Sequence, residues 1–517
     1  MASVNMPLLP DELMSMIFLM SAHSPDIPVH HQRSNLQLTS RRFSYIVHST
    51  ARFWTDYPAN IPLSSFRAYL ARSRVCGISL AISLRSDGDD MQSAIEKLQL
   101  VGGRLENLSV EAGALVNAAV FLSRIAPLPS ALRTCTVSMH ADADTSLSRV
   151  AFPFPQHLFC GATGLRELNI CDGLYFPRRF ALPASLEILS MKSVLKLNVL
   201  LHAISATPKL RQLAFTSNCT TPPASLKAVS LPALETLEAS FISGGTAEKL
   251  FRSLTFPTSA RLSVTIKVTT SGLPHLNNDL HAVTSHIRGT ERGRIVSLKA
   301  SADGRYFHRD AVFVDCYTYP HISRGSSSPS RSGGPEDSET GPLLSLHLAW
   351  DHPYPMQRED AFGLLMTALP LEHVEEVALC TTGPRLRGNV REWIASHGVK
   401  TVMDYLSHVT TIAVSSPDAL DEVLYAATSI RVRRLSRVVV LEKQWSAPGA
   451  VHPNTLGRLF DRRRNEGLDE VEIELREGED VFTGRVLRTC HSSVYKPRED
   501  DERPSATDWW AAWGIVE

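Results

Sequence analysis

A short pattern recurs along the chain and constrains its fold: a leucine, two residues, a second apolar residue, one residue and a third apolar residue. Alternation of apolar positions is typical of a β-strand that buries one face. Six copies are Leu105–Val110, Leu132–Val137, Leu165–Ile170, Leu186–Met191, Leu210–Phe215 and Leu234–Ala239. Their starts lie 27, 33, 21, 24 and 24 residues apart. This spacing predicts one strand per repeating unit, each unit burying its leucines against the next.

The segments between the copies have helical patterns, and proline marks the passage from helix to strand. Pro129, Pro183, Pro208 and Pro232 each stand two or three residues before a copy. Proline stops a helix and favours extended geometry in the residue before it. The period is that of leucine-rich repeats, so we expect an irregular, leucine-rich-repeat-like α/β solenoid. A conventional α/β sheet domain, with longer continuous apolar strands, is the alternative.

Beyond Ala239 the pattern is weaker and then resumes. We expect strands at Leu262–Val268 and Ile295–Leu298 and a helix at Thr246–Leu254. Later copies are Leu343–Leu348, Val374–Leu379, Val409–Val414, Leu435–Val440 and Leu468–Ile473. Ser416–Asp418 predicts a helix start, and Gly467 predicts a helix end after Arg462, Arg463 and Arg464. Of all the copies, only Leu210–Asn218 ends with the asparagine that leucine-rich repeats carry after the strand.

Composition divides the chain further. Residues 323–342 hold almost nothing apolar, which predicts a disordered insertion. The sequence from Lys496 onward is charged and ends with Trp509, Trp510 and Trp513, which we expect to cap the last repeat or to contact a partner. The predicted divisions are a helical module at 1–57, a first repeat region at 58–322, the insertion at 323–342, a second repeat region at 343–495 and a tail at 496–517.

The first helix, predicted at Pro10–Met20, is apolar on all sides. One face carries Leu13, Met16, Ile17 and Met20, and the other carries Met14, Phe18 and Leu19. Such a helix is buried on more than one side, so we expect one face, including Met14 and Phe18, to bind a partner. Ser24–Pro28 breaks the chain. A second helical segment then carries Leu36, Leu38, Phe43, Ile46 and Val47, and Phe53 and Trp54 close the unit.

This order of residues resembles an F-box, in the form found in mushroom-type fungi. The resemblance covers residues 7–57 and rests on Leu9–Leu13, Ile17, Phe18, Leu38, Ser40–Phe43, Ile46, Phe53 and Trp54. It implies that the module binds a Skp-type adaptor, and through it a cullin, while the repeats hold a protein substrate of a ubiquitin ligase. The adaptor-binding residues it implies are Leu9, Pro10, Leu13, Met14, Ile17, Phe18, Phe43 and Trp54. Residues 21–35 are a longer connection than many F-boxes have.

Charge and cysteine content predict the compartment and limit the partners. Lysine plus arginine (53) equals aspartate plus glutamate (53), so charge indicates neither a nucleic acid nor a membrane partner. Eight scattered cysteines without a CxxC pair indicate thiols in a reducing compartment. The first residues lack the basic segment of a signal peptide, and we expect a cytoplasmic or nuclear protein.

Catalytic and metal-binding motifs are missing from the sequence. There is no phosphate loop, dinucleotide fingerprint, HExxH or GxSxG. His30 and His31 lack a third ligand at metal-binding spacing. We therefore predict no catalytic residue, no metal and no cofactor. The alternatives to a ligase receptor are a repeat scaffold whose first helices act as a cap, and an enzyme on an α/β fold.

Overall fold

A computed structural model gives the fold. The structure describes residues 9–22, 29–57, 61–84, 88–139, 151–171, 173–194, 197–217, 226–242, 244–288, 294–303, 309–320, 341–351, 358–382, 404–406, 408–414, 423, 434–441, 461, 463–465, 467–468, 471–477 and 485–491. The chain forms two compact units, Met1–Asn218 with Lys227–Leu234, and Cys219–Leu226 with Glu235–Glu517. Both are mixed α/β, as predicted.

The first unit begins with helices and continues as alternating strands and helices. Its helices are α1 (Asp11–Ala22), α2 (Val29–Thr39), α3 (Arg41–Ser49), α4 (Leu63–Arg72), α5 (Gly88–Val101), α6 (Leu115–Ile125) and α7 (Leu197–Ile204), with 3-10 turns at Ala51–Trp54 and Gly102–Arg104. Its strands are β1 (Asp56–Tyr57), β2 (Ile78–Leu84), β3 (Leu105–Ala112), β4 (Thr134–Met139), β5 (Phe152–Pro153), β6 (Glu167–Ile170), β7 (Leu174–Tyr175), β8 (Ile188–Val194), β9 (Gln212–Ser217) and β10 (Val229–Ser230).

The main sheet of the first unit is parallel, and its strands lie in chain order: β1, β2, β3, β4, β6, β8 and β9. The leucine pattern becomes two rows of buried side chains that cross it. One row is Leu80, Leu108, Cys135, Leu168, Leu189 and Leu213. The other is Ile82, Val110, Val137, Ile170, Met191 and Phe215. The predicted strands and their inward positions are confirmed here.

Each strand is entered through a tight turn. The amide of Leu132 donates to the Pro129 carbonyl at 3.2 Å, and Leu186 donates to Pro183 at 3.1 Å. In the copies that start at Leu132, Leu165, Leu186 and Leu210 the first leucine therefore closes the turn, fully buried, and the strand begins two residues later. This explains why the proline spacing predicted where the strands start.

The second unit contains α8 (Thr246–Ser253), α9 (Leu273–Arg288) and α10 (Arg358–Ala368). Its strands are β11 (Thr236–Ile242), β12 (Leu254–Thr255), β13 (Arg261–Val268), β14 (Ser297–Asp303), β15 (Arg309–Tyr317), β16 (Leu344–Asp351), β17 (Glu376–Thr382), β18 (Thr411–Val414), β19 (Arg437–Leu441), β20 (Glu472–Glu477) and β21 (Arg485–His491).

The strands of the second unit depart from chain order. The order is β11, β13, β16, β15, β14, β17, β18, β19, β20, β21, with β14–β15, β15–β16 and β20–β21 antiparallel. The expectation of a continued parallel array is therefore wrong at β14 to β16. Strand β15, which the repeat pattern does not include, pairs with β14 on one side and with β16 on the other. Across the sheet the three strands therefore follow the order β16, β15, β14, which is the reverse of their order in the chain.

Helix α8 is capped from another helix. Gly245, at φ +78°, precedes α8 and has no side chain to accept its first amide groups. Asp279 of α9, 1% exposed, accepts from the amides of Gly245 at 3.1 Å and Glu248 at 2.8 Å, with Gly244 at 3.4 Å. Burial raises the pKa of this carboxyl, and the three amide donors oppose the rise. The tertiary cap fixes α8 against α9.

The helix end predicted at Gly467 is confirmed. Gly467 has φ +63°, and the amide of Leu468 donates to the Arg463 carbonyl at 2.9 Å. Arg463 is buried, and its guanidinium donates to the Leu435 carbonyl at 2.9 Å, so it serves packing rather than only the helix dipole. No helix among the described residues is long and apolar enough to cross a membrane.

Several sequence predictions concern residues outside the described ranges. They are the break at Ser24–Pro28, Asn218, most of the insertion at 323–342, the helix start at Ser416–Asp418, Arg462 and the tail at 496–517. The division at residue 57 also stays a prediction. Within the first unit, β1 pairs with β2, so the end of the helical module shares the main sheet.

Candidate binding surface of the first helices

Helix α1 is fixed against α3 by polar contacts at its start. Arg42 donates to Asp11 Oδ1 from Nε at 2.9 Å and from Nη2 at 2.7 Å, and it also contacts the Leu9 carbonyl. One turn later, the hydroxyls of Ser15 and Thr50 lie 3.1 Å apart. The ion pair is half exposed, so it sets the orientation of α1 more than it adds stability.

The inward side of α1 packs on an inner cluster of Phe18, Ile46, Val47, Phe53 and Trp54. Half-buried side chains complete it: Met14, Leu19, Leu36, Phe43 and Tyr69. The rings of Phe18 and Phe43 meet edge to face, with centroids 4.7 Å apart. The predicted small core is therefore present, and Tyr69 of α4 extends it beyond residue 57.

Trp54 is the centre of this packing. It is 2% exposed, and its indole Nε1 donates to the Val47 carbonyl at 2.9 Å. The Tyr69 ring lies edge-on at 4.9 Å, and the guanidinium of Arg72 lies over the indole at 4.4 Å. Trp54 thus joins α3 to α4 and has no surface for an external partner.

Arg33 is a residue that sequence reasoning missed. It is 3% exposed, and its guanidinium lies 4.6 Å from the Trp54 ring centroid and 4.4 Å from the Tyr69 ring centroid. Its Nη1 donates a hydrogen bond to the Phe53 carbonyl at 3.0 Å. Burial lowers its pKa. The predicted connection at residues 21–35 is wrong in this part, since α2 already begins at Val29. The only sequence signal for a buried Arg33 is the presence of Trp54 and Tyr69 further along the chain, since aromatic rings attract cations.

The opposite side of α1 is open. Its outer stripe consists of Leu9, Leu13, Met16, Ile17 and Met20, which are 45%, 45%, 58%, 48% and 76% exposed. The last four recur at helical spacing and so share one face. On the other two helices, Leu38 and Tyr45 are also largely exposed. The module therefore has a buried aromatic side and an apolar side in water.

The predicted binding residues divide between these two sides. Leu9, Pro10, Leu13 and Ile17 lie on the surface. Met14, Phe18, Phe43 and Trp54 belong to the inner cluster or pack on it. The expectation that the open face includes Met14 and Phe18 is wrong, because the Asp11–Arg42 pair and the packing of Phe18 turn that side of α1 inward. Met16 and Met20 take their place.

Histidines and acidic groups do not gather into a metal site in the part of the chain that the structure describes. His30 and His31 lie in α2 rather than in a loop. The described contacts of this region are mainly apolar and aromatic, with the Asp11–Arg42 and Ser15–Thr50 contacts at the start of α1.

Comparison with known proteins adds no family to these observations. No protein-family model matches the chain, and no curated protein matches it.

Proposed function

We propose that the chain is the substrate-recognition subunit of a Skp-cullin-F-box type ubiquitin ligase and that it binds the adaptor through the outer stripe of α1. The observation that carries the proposal is that four apolar side chains of α1, with Leu9 just before it, are exposed to water while the same helix is packed on its other side. A contiguous apolar patch of this kind marks a site of interaction.

The arrangement suits recognition by another protein's groove. Leu13, Met16, Ile17 and Met20 follow the spacing by which amphipathic helices insert into apolar grooves. Arg42, Asp11 and Ser15 hold the helix in one orientation, so the stripe is organised before binding. Preorganisation reduces the entropy lost on association.

The inner cluster has a supporting role in this proposal. Phe18, Phe43 and Trp54 hold α1 and α3 together. Their substitution weakens adaptor binding indirectly, through loss of structure, whereas substitution in the outer stripe weakens it directly. The F-box resemblance supplies the identity of the adaptor, and the proposed receptor needs no catalytic residue, because it acts by raising the local concentration of substrate.

Co-purification with a Skp-type adaptor tests the proposal. Ile17→Glu places a charge in the stripe and is expected to reduce adaptor retention at least tenfold, since a central apolar anchor contributes on the order of 2 kcal/mol. Val116→Glu on α6 is the matched control, because Val116 is 46% exposed and Ile17 is 48% exposed. Failure of the full chain to retain adaptor, or equal retention by both variants, contradicts the proposal.

A second candidate function is a repeat scaffold outside any ligase. It is favoured by the contacts of the module's inner side with α4, where Tyr69 and Arg72 meet Trp54. Together with the pairing of β1 with β2, such contacts would let the module cap the sheet. A pull-down that captures protein partners but neither adaptor nor cullin favours the scaffold.

A further inference from the structure

A groove lies along the starting ends of the strands in the first unit. Its volume is about 350 Å³, and its charged lining residues are Glu106, Arg133, Arg166, Glu187 and Lys209. The floor is backbone: a Cβ on Gly164 would lie 2.6 Å from the Ser130 carbonyl, so adjacent turns approach too closely for a side chain. The turns at the floor are therefore closely packed, and most of the residues that line the groove are polar or charged.

Four of the charged residues form a row across adjacent strand starts. Arg133 donates its amide to the Glu106 carbonyl at 2.6 Å, Arg166 to Arg133 at 2.8 Å, and Glu187 to Arg166 at 2.8 Å. Neighbours in such a ladder are about 4.8 Å apart. The order of charge in these four is acid, base, base, acid, and the row continues with Arg211, whose amide donates to the Glu187 carbonyl at 2.7 Å.

The two glutamates only partly balance the adjacent arginines. Like charges on directly adjacent strands are unfavourable. Each arginine does have a glutamate on its outer side, but Arg133 lies 3.9 Å from Glu106 and Arg166 lies 3.6 Å from Glu187. These distances exceed the roughly 2.8 Å of a charge-assisted hydrogen bond. The arginine side chains are 60% and 63% exposed, so solvent screens both pairs.

We propose that this groove binds an acidic segment of a protein partner, whose carboxylates accept from the guanidinium groups of Arg133 and Arg166. A guanidinium presents a planar fork of donors that fits a carboxylate. Glu106 and Glu187 select against a continuous polyanion, because its further charges would meet carboxylates on both sides of the arginine pair. They favour instead a segment with basic residues on either side of its acidic pair.

The proposal stands whether or not the chain binds an adaptor, because it uses no residue of α1. Binding is expected to weaken with salt, since the arginines are exposed and their interactions are screened within about 10 Å at 0.1 M ionic strength.

Fluorescence anisotropy with the full chain tests the proposal through charge order. One labelled peptide contains Lys-Glu-Glu-Lys between flexible Gly-Ser flanks, and its partner contains Glu-Lys-Lys-Glu, which has the same composition. We expect the first to bind at least tenfold more tightly. Arg133→Gln with Arg166→Gln should abolish that preference. Arg124→Gln with Arg178→Gln, which removes two other exposed arginines, should leave it unchanged.

Three results with the peptides would overturn the proposal: equal binding of the two peptides, a preference that survives loss of Arg133 and Arg166, and a preference lost equally in the control variant. Competition by an oligothymidylate that depends on the same two arginines would assign the groove to a polyanion and would also overturn it. Circular dichroism of both double variants verifies that neither unfolds.

Discussion

The cap that Asp279 provides for α8 allows a quantitative prediction. In Asp279→Asn, the remaining amide oxygen can still accept from Glu248, but the new NH₂ group faces the amide groups of Gly244 and Gly245. Two buried donors then lose their acceptor. A hydrogen bond to a charged group contributes about 1.5–3 kcal/mol, and the contact at 3.4 Å is the weaker of the two. Relief of the buried charge offsets part of the loss.

We therefore expect a net local destabilisation of about 2 kcal/mol, which is about 30-fold faster amide exchange. Hydrogen–deuterium exchange of peptides covering residues 244–253 measures it directly, without requiring the whole chain to unfold in one step. Asp90→Asn, at an exposed position on α5, is the control. Unchanged exchange in Asp279→Asn would refute the assignment of Asp279 as the cap.

The pH dependence gives a second test of the same residue. Burial raises the pKa of Asp279 in the folded state. The part of its contribution that comes from this pKa shift is therefore fully present below the unfolded pKa and is lost as pH rises through the folded pKa, while the hydrogen bonds to the three amides remain. The difference in amide exchange rate between wild type and Asp279→Asn should narrow as pH increases, because position 279 carries an ionisable group only in the wild type. A difference that widens with pH would show that the amide donors outweigh burial.

Three further predictions concern the first unit. Phe18→Ala should lower the free energy of unfolding of the inner cluster by about 3–5 kcal/mol, seen as a lower midpoint in thermal denaturation. Gly164→Ala should destabilise the groove floor through its clash with the Ser130 carbonyl and speed amide exchange there, whereas the same change at exposed Gly103 should not. Burial raises the pKa of Cys135 to about 12, so iodoacetamide at pH 8.5 should modify exposed Cys160 and leave Cys135 unmodified, by peptide mass spectrometry.

The leucine positions predicted the strands of the sheet because a leucine at an alternating position indicates, from local sequence alone, that its side chain is buried. Leu108 and Leu168 each stand between polar residues, and the structure places both in one row of the core with Leu189. What a local pattern does not contain is the identity of the neighbouring strand. Nothing in the sequence around Leu346 indicates that β16 pairs with β13 rather than with the strand expected next in chain order.

The helical module was harder to predict for a different reason. Helix α1 is apolar all round, so periodicity could not distinguish its inward side from its outward side. The deciding contacts are the long-range pair of Asp11 with Arg42 and the aromatic packing of Phe18. Helix α2 has few apolar residues, and its buried anchor, Arg33, is of a type that usually indicates an exposed position.

The pairing of β13 with β16 bears on how the second unit folds. Thr265 and His347, which are opposite each other in this ladder, are 82 residues apart in the sequence. Closing such a long loop has a large entropic cost that is incurred before any contact compensates it, so this ladder should form late and slow the folding of the unit. The cost grows only with the logarithm of loop length. Adding 20 residues to the predicted insertion at 323–342 would therefore raise it by only ~0.2 kcal/mol, which leaves the length of that segment nearly free to vary in evolution.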